Sequence, residues 1–183
     1  MSQQAIEQIT QAWEEADPRA LHPVRAVSEE AYLISGLNQS ALLSTVLPPG
    51  RVVDFGCGDG RLAIPLHDLG IDVMAVDGAQ AMLDRLAAAA PGLPSALSDG
   101  TDLVRVLGEP ADSLIAIGVL GEYDPESAAL LVECLRAAVR TGGLLVLDWP
   151  TAAEHGPLLS RIGLVPLDAC IPWHAFLATE PTA

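Results

Sequence analysis

A short β-prone run, Arg51 to Phe55, leads directly into the glycine-rich segment Gly56-Cys-Gly-Asp-Gly60, and a helical stretch follows at 61–69. Glycine in such a turn adopts positive φ and lets a ligand approach the backbone. In open α/β sheets, ligands bind beyond the carboxyl ends of the parallel strands. This segment therefore predicts both the kind of sheet and the position of a ligand site.

The rest of the chain alternates apolar runs with helical patterns. The further predicted elements are strands at 71–76, 95–97, 113–117 and 144–147 and helices at 79–90 and 125–140. Strands that are continuously apolar indicate a parallel sheet covered on both faces. Thr141-Gly142-Gly143 is expected to stop the second of these helices.

The last third of the chain changes character. The runs at 163–167 and 176–179 are too close together for a helical crossover, so they predict an antiparallel hairpin at the sheet edge. The expected fold is a doubly wound, Rossmann-like α/β sheet of seven strands, mostly parallel, preceded by short N-terminal helices. We predict one domain over 1–183, divided into a helical cap at 1–47, a core at 50–150 and a hairpin at 160–180.

The N-terminal cap contains two predicted helices. Apolar residues spaced by three and four positions indicate a helix within 1–20, in which Trp13 is expected to pack. A second helix is predicted over 28–47, with Ser28 as its N-cap and Gly36 as a break.

The charge balance restricts the partners. The chain has 24 acidic and nine basic residues, for a net charge of −15. Such a surface repels phosphate backbones and anionic lipids, so neither a nucleic acid nor a membrane partner is expected, and a cationic ligand is favoured. The three cysteines form no CxxC pair, no signal peptide is evident and no apolar run approaches a membrane span. We expect a cytoplasmic protein without a metal site.

The glycine spacing argues against a dinucleotide. The third glycine of the G-x-G-x-x-G fingerprint would fall at Arg61. Asp54 and Asp59 would also place negative charge beside a pyrophosphate. Both facts favour a ligand that carries an ammonium group and a sulfonium.

Two further carboxylates end predicted strands. Asp77 follows the second strand, 17 residues after Gly60, where a carboxylate can accept hydrogen bonds from a ribose diol. Asp99 follows the third strand, where it can accept from an adenine amine. Either aspartate alone is equally typical of a helix cap. The combination with the glycine turn indicates a nucleoside site.

These features resemble the class I S-adenosylmethionine-dependent methyltransferase family over roughly residues 50–150. The matching stretches are Val52–Leu62, Val73–Leu83, Ser98–Gly100, Ile115–Leu120 and Arg140–Leu147. The resemblance implies S-adenosylmethionine as cofactor. It assigns the methionine end to Asp54, Gly56, Gly58 and Gly118, the turn to Cys57 and Gly60, and the ribose hydroxyls to Asp77. It also assigns the flanks of sugar and adenine to Gly78, Ala79 and Met82, the adenine edge to Asp99 and Gly100, and a closing N-terminal region to Tyr32 and Gly36.

The expected reaction is in-line methyl transfer to a small-molecule acceptor. Tyr123 and Trp149 are the candidate acceptor contacts, with plain packing as the alternative, and no catalytic residue is assigned. The acceptor pocket would be built from 1–47, 119–124 and 149–157, with a second copy of the chain as a possible contributor. Three alternatives remain open: non-methyl chemistry that releases methylthioadenosine, a non-catalytic cofactor-binding subunit, and a nicotinamide oxidoreductase.

Overall fold

The computed structural model describes residues 3–16, 20–22, 25–148, 156–168 and 171–181. Its strands are β1 Ala20–His22, β2 Arg25–Ala26, β3 Arg51–Phe55, β4 Asp72–Asp77, β5 Ser95–Leu97, β6 Ala111–Ala116, β7 Val139–Leu147, β8 Leu164–Leu167 and β9 His174–Ala178. Its helices are α1 Gln3–Glu14, α2 Glu29–Ser44, α3 Ala63–Asp68, α4 Gln80–Ala89, α5 Leu103–Leu107, α6 Pro125–Ala137 and α7 Gly156–Arg161, with a 3₁₀ turn at Leu120–Glu122.

Within the described residues, the main sheet has seven strands in the order β5-β4-β3-β6-β7-β9-β8. The strands β3 to β7 pair parallel with one another, whereas β9 pairs antiparallel with both β7 and β8. The predicted fold class is therefore confirmed. The strand order reverses between β3 and β6, which is where doubly wound sheets bind ligands.

Alternation along the strands sends side chains to two hydrophobic layers. On β6, Leu114 packs in the layer that contains Leu131 of α6, and its neighbour Ile115 packs in the layer that contains Leu66 of α3 and Leu86 of α4. All five side chains are fully buried. Because helices cover both faces of the sheet, a central strand such as β6 buries apolar side chains on both of its sides. This agrees with the covered sheet predicted from the continuously apolar strands.

The strand β7 begins earlier than predicted. The helix α6 ends at Ala137, and Thr141-Gly142-Gly143 lies inside β7 rather than stopping a helix. The pairing of β6 with β7 shifts register between Ala111 and Ser113, so the glycines lie in a bulge. A Cβ at Gly143 would lie 2.6 Å from the carbonyl oxygen of Asp112, which explains why glycine is needed there.

The helix α2 has the predicted N-cap but not the predicted break. Ser28 Oγ accepts a hydrogen bond from the Ala31 N–H at 3.2 Å. The helix continues through Gly36, which lies against the backbone of Arg61. A Cβ at this position would overlap the Arg61 carbonyl oxygen. Gly36 therefore serves close packing of α2 on the glycine turn, and its interpretation as a break was wrong.

Several short elements were not predicted, namely β1, β2, α5 and α7. Each has six residues or fewer, which is too short for a periodic apolar pattern to emerge. No helix in the part of the chain that the structure describes is long and apolar enough to cross a membrane.

Candidate functional site

The glycine turn after β3 is folded against β4. The N–H groups of Gly56 and Cys57 both donate to the carbonyl oxygen of Val76, at 2.8 and 3.1 Å. Gly58 has a φ of +57°, and a Cβ built on it would meet no atom within 4 Å. Because Gly58 lies in the wall of a cleft, its bare backbone is open to a ligand.

The cleft lies at the carboxyl ends of β3, β4 and β6 and encloses about 850 Å³, including space open to solvent. The predicted site residues that line it are Tyr32, Asp54, Gly56, Cys57, Gly58, Asp77, Gly78, Ala79, Asp99, Gly118 and Tyr123.

Asp77 links the glycine turn to the start of α4 through hydrogen bonds to backbone N–H groups. Its Oδ2 accepts from the Gly58 N–H and its Oδ1 accepts from the Ala79 N–H, each at 2.8 Å. Burial raises the pKa of Asp77, whereas these backbone N–H groups act in the opposite direction. Each carboxylate oxygen has a second lone pair, so Asp77 can still accept hydrogen bonds from a ligand diol.

Asp54, at the end of β3, is a buried carboxylate with an unsatisfied oxygen. Its side chain is 2% exposed, and Oδ2 has no hydrogen-bond partner among the described residues. Burial raises the pKa of Asp54 to about 7; Arg61 opposes this shift and Asp77 adds to it. A buried carboxylate in this condition is stabilised by a cationic donor in the cleft.

The helix α1 covers one end of the cleft. Ile9, Thr10 and Trp13 line it, a role that sequence reasoning missed because Trp13 was expected only to pack. Glu14 fixes this helix: its carboxylate accepts from the N–H groups of Gln80 at 2.6 Å and Ala81 at 2.9 Å, at the start of α4. A carboxylate at a helix N-terminus is stabilising, so Glu14 attaches α1 to the core.

The other end of the cleft is formed by α2 and the residues after the glycine turn. The Tyr32 hydroxyl donates to Asp59, and burial, followed by Asp59, raises the pKa of Tyr32 far above its usual value. Arg61 lines the cleft and donates to Gln39 Oε1 at 2.5 Å. From the sequence, Arg61 was noted only because it occupies the position of the third glycine of the dinucleotide fingerprint, and no role in the site was predicted for it.

Tyr123 also lines the cleft, within electrostatic range of several of its carboxylates. Burial, and then the negative charges of Asp99, Asp77 and Glu122, raise the pKa of Tyr123 to about 12. Asp99 Oδ1 accepts from Thr101, from its N–H at 2.9 Å and its hydroxyl at 2.6 Å. Tyr123 therefore lies within electrostatic range of the two carboxylates assigned to sugar and base, and its contact with an acceptor stays a prediction.

Four predicted cofactor residues lie outside the cleft wall. A Cβ on Gly60 would lie 2.5 Å from Leu86, and one on Gly100 would lie 2.5 Å from Leu131, so both glycines allow close packing. Met82 is buried against Ala79, behind the wall. Gly36 contacts Arg61 from the side of α2. These residues support the cleft rather than face it.

Trp149, the second acceptor candidate, lies outside the described residues, as does most of the loop 149–157. Among the residues with a described placement, no three His, Cys, Asp or Glu side chains are grouped to hold a metal ion.

A parallel sheet with an open glycine turn at its switch point and two buried carboxylates beside that turn is an arrangement that suits a positively charged nucleoside. A methyltransferase domain model matches residues 52–143, which is half of the chain. The chain therefore belongs to the S-adenosylmethionine-dependent methyltransferase family, and S-adenosylmethionine is the cofactor.

Relatives and solved structures agree with this family. An uncharacterized methyltransferase of Mycobacterium tuberculosis is 35% identical over 62% of this chain and 45% of its own length. A ubiquinone biosynthesis O-methyltransferase of Methylocella silvestris is 34% identical over 76% of this chain and 59% of its own length. The chain thus spans about half the length of these curated relatives. Magnesium protoporphyrin IX methyltransferase from Synechocystis, solved with S-adenosylmethionine bound, superposes with a TM-score of 0.70 at 20% identity, covering 96% of this chain and 97% of the other.

The residues present fit this cofactor. The unpartnered oxygen of Asp54 suits the ammonium group, and the open backbone at Gly58 leaves room for a methionine chain. The carboxylate of Asp77 has lone pairs for ribose hydroxyls.

Proposed function

We propose that this chain transfers the methyl group of S-adenosylmethionine to a small-molecule acceptor. The observation that carries the proposal is the unsatisfied, fully buried Oδ2 of Asp54 in the wall of a cleft that Asp77 also lines. When bound, S-adenosylmethionine supplies an activated methyl group on its sulfonium. The contribution of the protein is therefore binding, alignment and exclusion of water.

The three aspartates of the cleft each have a distinct proposed task. Asp54 binds the ammonium group, Asp77 accepts from the ribose hydroxyls, and the oxygen of Asp99 that Thr101 leaves free accepts from the adenine amine. The α1 helix, attached through Glu14, excludes water from the nucleoside end. No general base is needed for these tasks, and we assign none.

Two considerations support a small acceptor. The net charge of −15 opposes the approach of a nucleic acid. The Methylocella relative is named for ubiquinone biosynthesis and the Synechocystis structure for magnesium protoporphyrin IX, both small molecules.

We further propose that residues 1–183 act as one unit, with 1–47 as the cap, 50–150 as the cofactor core and 160–180 as the hairpin, and that a second copy can complete the acceptor side. Size-exclusion chromatography with light scattering tests the second point. A monomer that methylates its acceptor at full rate when dilute contradicts it.

Isothermal titration calorimetry with S-adenosylmethionine and S-adenosylhomocysteine tests the cofactor role. Asp77→Ala is expected to weaken binding by at least tenfold, because one carboxylate then no longer accepts from the ribose. Asp72→Ala, at the exposed start of the same strand, is the matched control and is expected to bind as the wild type does.

Product analysis tests the reaction. Incubation with candidate acceptors is expected to release S-adenosylhomocysteine. Methylthioadenosine in its place would show non-methyl chemistry, and binding without any turnover over a broad acceptor panel would favour a non-catalytic subunit.

A further inference from the structure

We propose that Arg61 binds the α-carboxylate of the methionine moiety, and that Gln39 and Ser35 on α2 are positioning residues for its guanidinium. This inference rests on the proposed function and adds to it a recognition element for the amino-acid end of the cofactor.

Arg61 is positively charged and lines the cleft. It is the one basic residue among the described residues that line the cleft, whereas Asp54, Asp77, Asp99 and Glu122 line it as acids. S-Adenosylmethionine carries one anionic group, its carboxylate. A ligand with that group would leave its negative charge beside acids only, unless Arg61 receives it.

The guanidinium is held by one edge and leaves the other edge available. Its Nη1 donates to Gln39 Oε1 at 2.5 Å and more weakly to Ser35 Oγ at 3.5 Å. Its Nε and Nη2 donate to no residue that the structure describes. A guanidinium fixed in this way presents its remaining N–H groups in the fork that matches a carboxylate.

The face of α2 that meets this arginine is built for a close approach. Ser35, Gly36, Gln39 and Ser40 lie on one side of the helix, at the i, i+1, i+4 and i+5 positions. Gly36 brings the helix backbone against Arg61, and Ser40 Oγ donates to the Leu62 carbonyl oxygen at 3.2 Å. Polar residues at a buried helix face are costly unless they have such partners, so this face is fitted to residues 61–62.

Asp54 and Arg61 carry charges that are complementary to the α-ammonium and the α-carboxylate of an amino acid. Asp54 and Arg61 interact electrostatically, yet Asp54 Oδ2 remains without a hydrogen bond in the described part of the chain. An α-ammonium beside Asp54 and an α-carboxylate beside Arg61 would satisfy both groups together. Burial lowers the pKa of Arg61, and the nearby Tyr32, Asp54, Asp59 and Asp148 oppose this shift.

The test compares two ligands that differ only in the carboxylate. Calorimetry measures the Kd of the apo protein for S-adenosylmethionine and for decarboxylated S-adenosylmethionine, which keeps the ammonium and the sulfonium. The wild type is expected to bind the decarboxylated ligand roughly 10- to 100-fold more weakly, the range for a lost charge-assisted hydrogen bond.

Arg61→Gln is expected to bind the two ligands with Kd values within about twofold of each other, so that discrimination disappears. The effect of losing Arg61 on the ionisation of Asp54 acts on the ammonium group, which both ligands share. Gln39→Ala is expected to reduce discrimination without abolishing it. Arg105→Gln removes an arginine whose side chain is 78% exposed on α5 and is expected to change neither Kd.

The outcomes separate this inference from the proposed function. If the wild type binds S-adenosylmethionine but does not distinguish the decarboxylated ligand, or if Arg61→Gln distinguishes them as the wild type does, the role of Arg61 is overturned and the proposed function stands. If the wild type binds neither ligand, both are overturned. Because the wild-type comparison needs no variant, the test holds even if Arg61→Gln fails to fold.

Discussion

The carboxylate of Asp77 accepts a hydrogen bond from the Gly58 N–H at 2.8 Å, across 19 residues of sequence. The residue proposed to hold the ribose thus also fixes the glycine turn proposed to receive the methionine chain. Its other oxygen accepts from Ala79, at the start of α4, so a single side chain sets the distance between three parts of the cleft. Binding at either end of the nucleoside is therefore expected to depend on the same carboxylate.

Gly58→Ala is expected to abolish S-adenosylmethionine binding with only modest loss of stability. Its Cβ meets no protein atom within 4 Å but enters the cleft, and its φ of +57° costs an alanine about 1–2 kcal/mol. Gly70→Ala is the matched control, because Gly70 also has positive φ and open space but lies outside the cleft wall. Thermal unfolding is expected to shift equally in both, whereas calorimetry distinguishes them. Equal binding by both variants contradicts the assignment of the turn.

The affinity for S-adenosylmethionine is expected to fall as the pH is lowered below about 7. Burial, opposed by Arg61 and assisted by Asp77, raises the pKa of Asp54 to about 7 in the apo protein. Only the ionised carboxylate attracts the ammonium group, so the Kd rises by up to about tenfold for each pH unit below that pKa. Calorimetry between pH 5.5 and 8.5 measures it. Methylthioadenosine, which lacks the ammonium, serves as the control ligand and is expected to show a much smaller slope.

Asp54→Asn is expected to stabilise the apo protein at high pH while removing the pH-dependent part of ligand binding. An acid whose folded pKa is raised from 3.8 to about 7 binds more protons when folded. Its contribution to stability is full below pH 4 and is lost as the pH rises through about 7. The variant lacks that loss. Its Tm is therefore expected to exceed that of the wild type by more at pH 8 than at pH 5, at about 2–4 °C for each kcal/mol. A constant difference across this range contradicts a raised pKa for Asp54.

Glu14→Ala is expected to loosen α1 from the rest of the protein. Its carboxylate accepts from two N–H groups at the start of α4, and removal of a helix cap costs about 0.5–2 kcal/mol. Because Ile9, Thr10 and Trp13 line the cleft, the variant is expected to bind S-adenosylmethionine several-fold more weakly, with a faster dissociation rate in stopped-flow measurements. Glu15→Ala, exposed at the next position, is the control. If both variants dissociate at the wild-type rate, α1 does not retain the ligand.

The sequence by itself determined the sheet and the floor of the site. Asp54, Gly58 and Asp77 were found because strand ends carry a local signature, and parallel strands bring those ends to one edge. The antiparallel edge followed from the short connection between the runs at 163–167 and 176–179, which is also local. Each of these features depends on residues that are close together in the chain.

Only the tertiary structure decided what covers that floor. Glu14 accepts a hydrogen bond from Gln80, 66 residues away in the sequence, and Gly36 of α2 packs against Arg61. Neither contact produces a periodic pattern of apolar residues from which it could be predicted. The same limit applies to Gly60 and Gly100, which were assigned to the cofactor site but lie outside the cleft wall, where a Cβ would meet Leu86 and Leu131 respectively. Packing partners are chosen by shape and desolvation in three dimensions, so residues far apart in the chain become parts of one site only after folding.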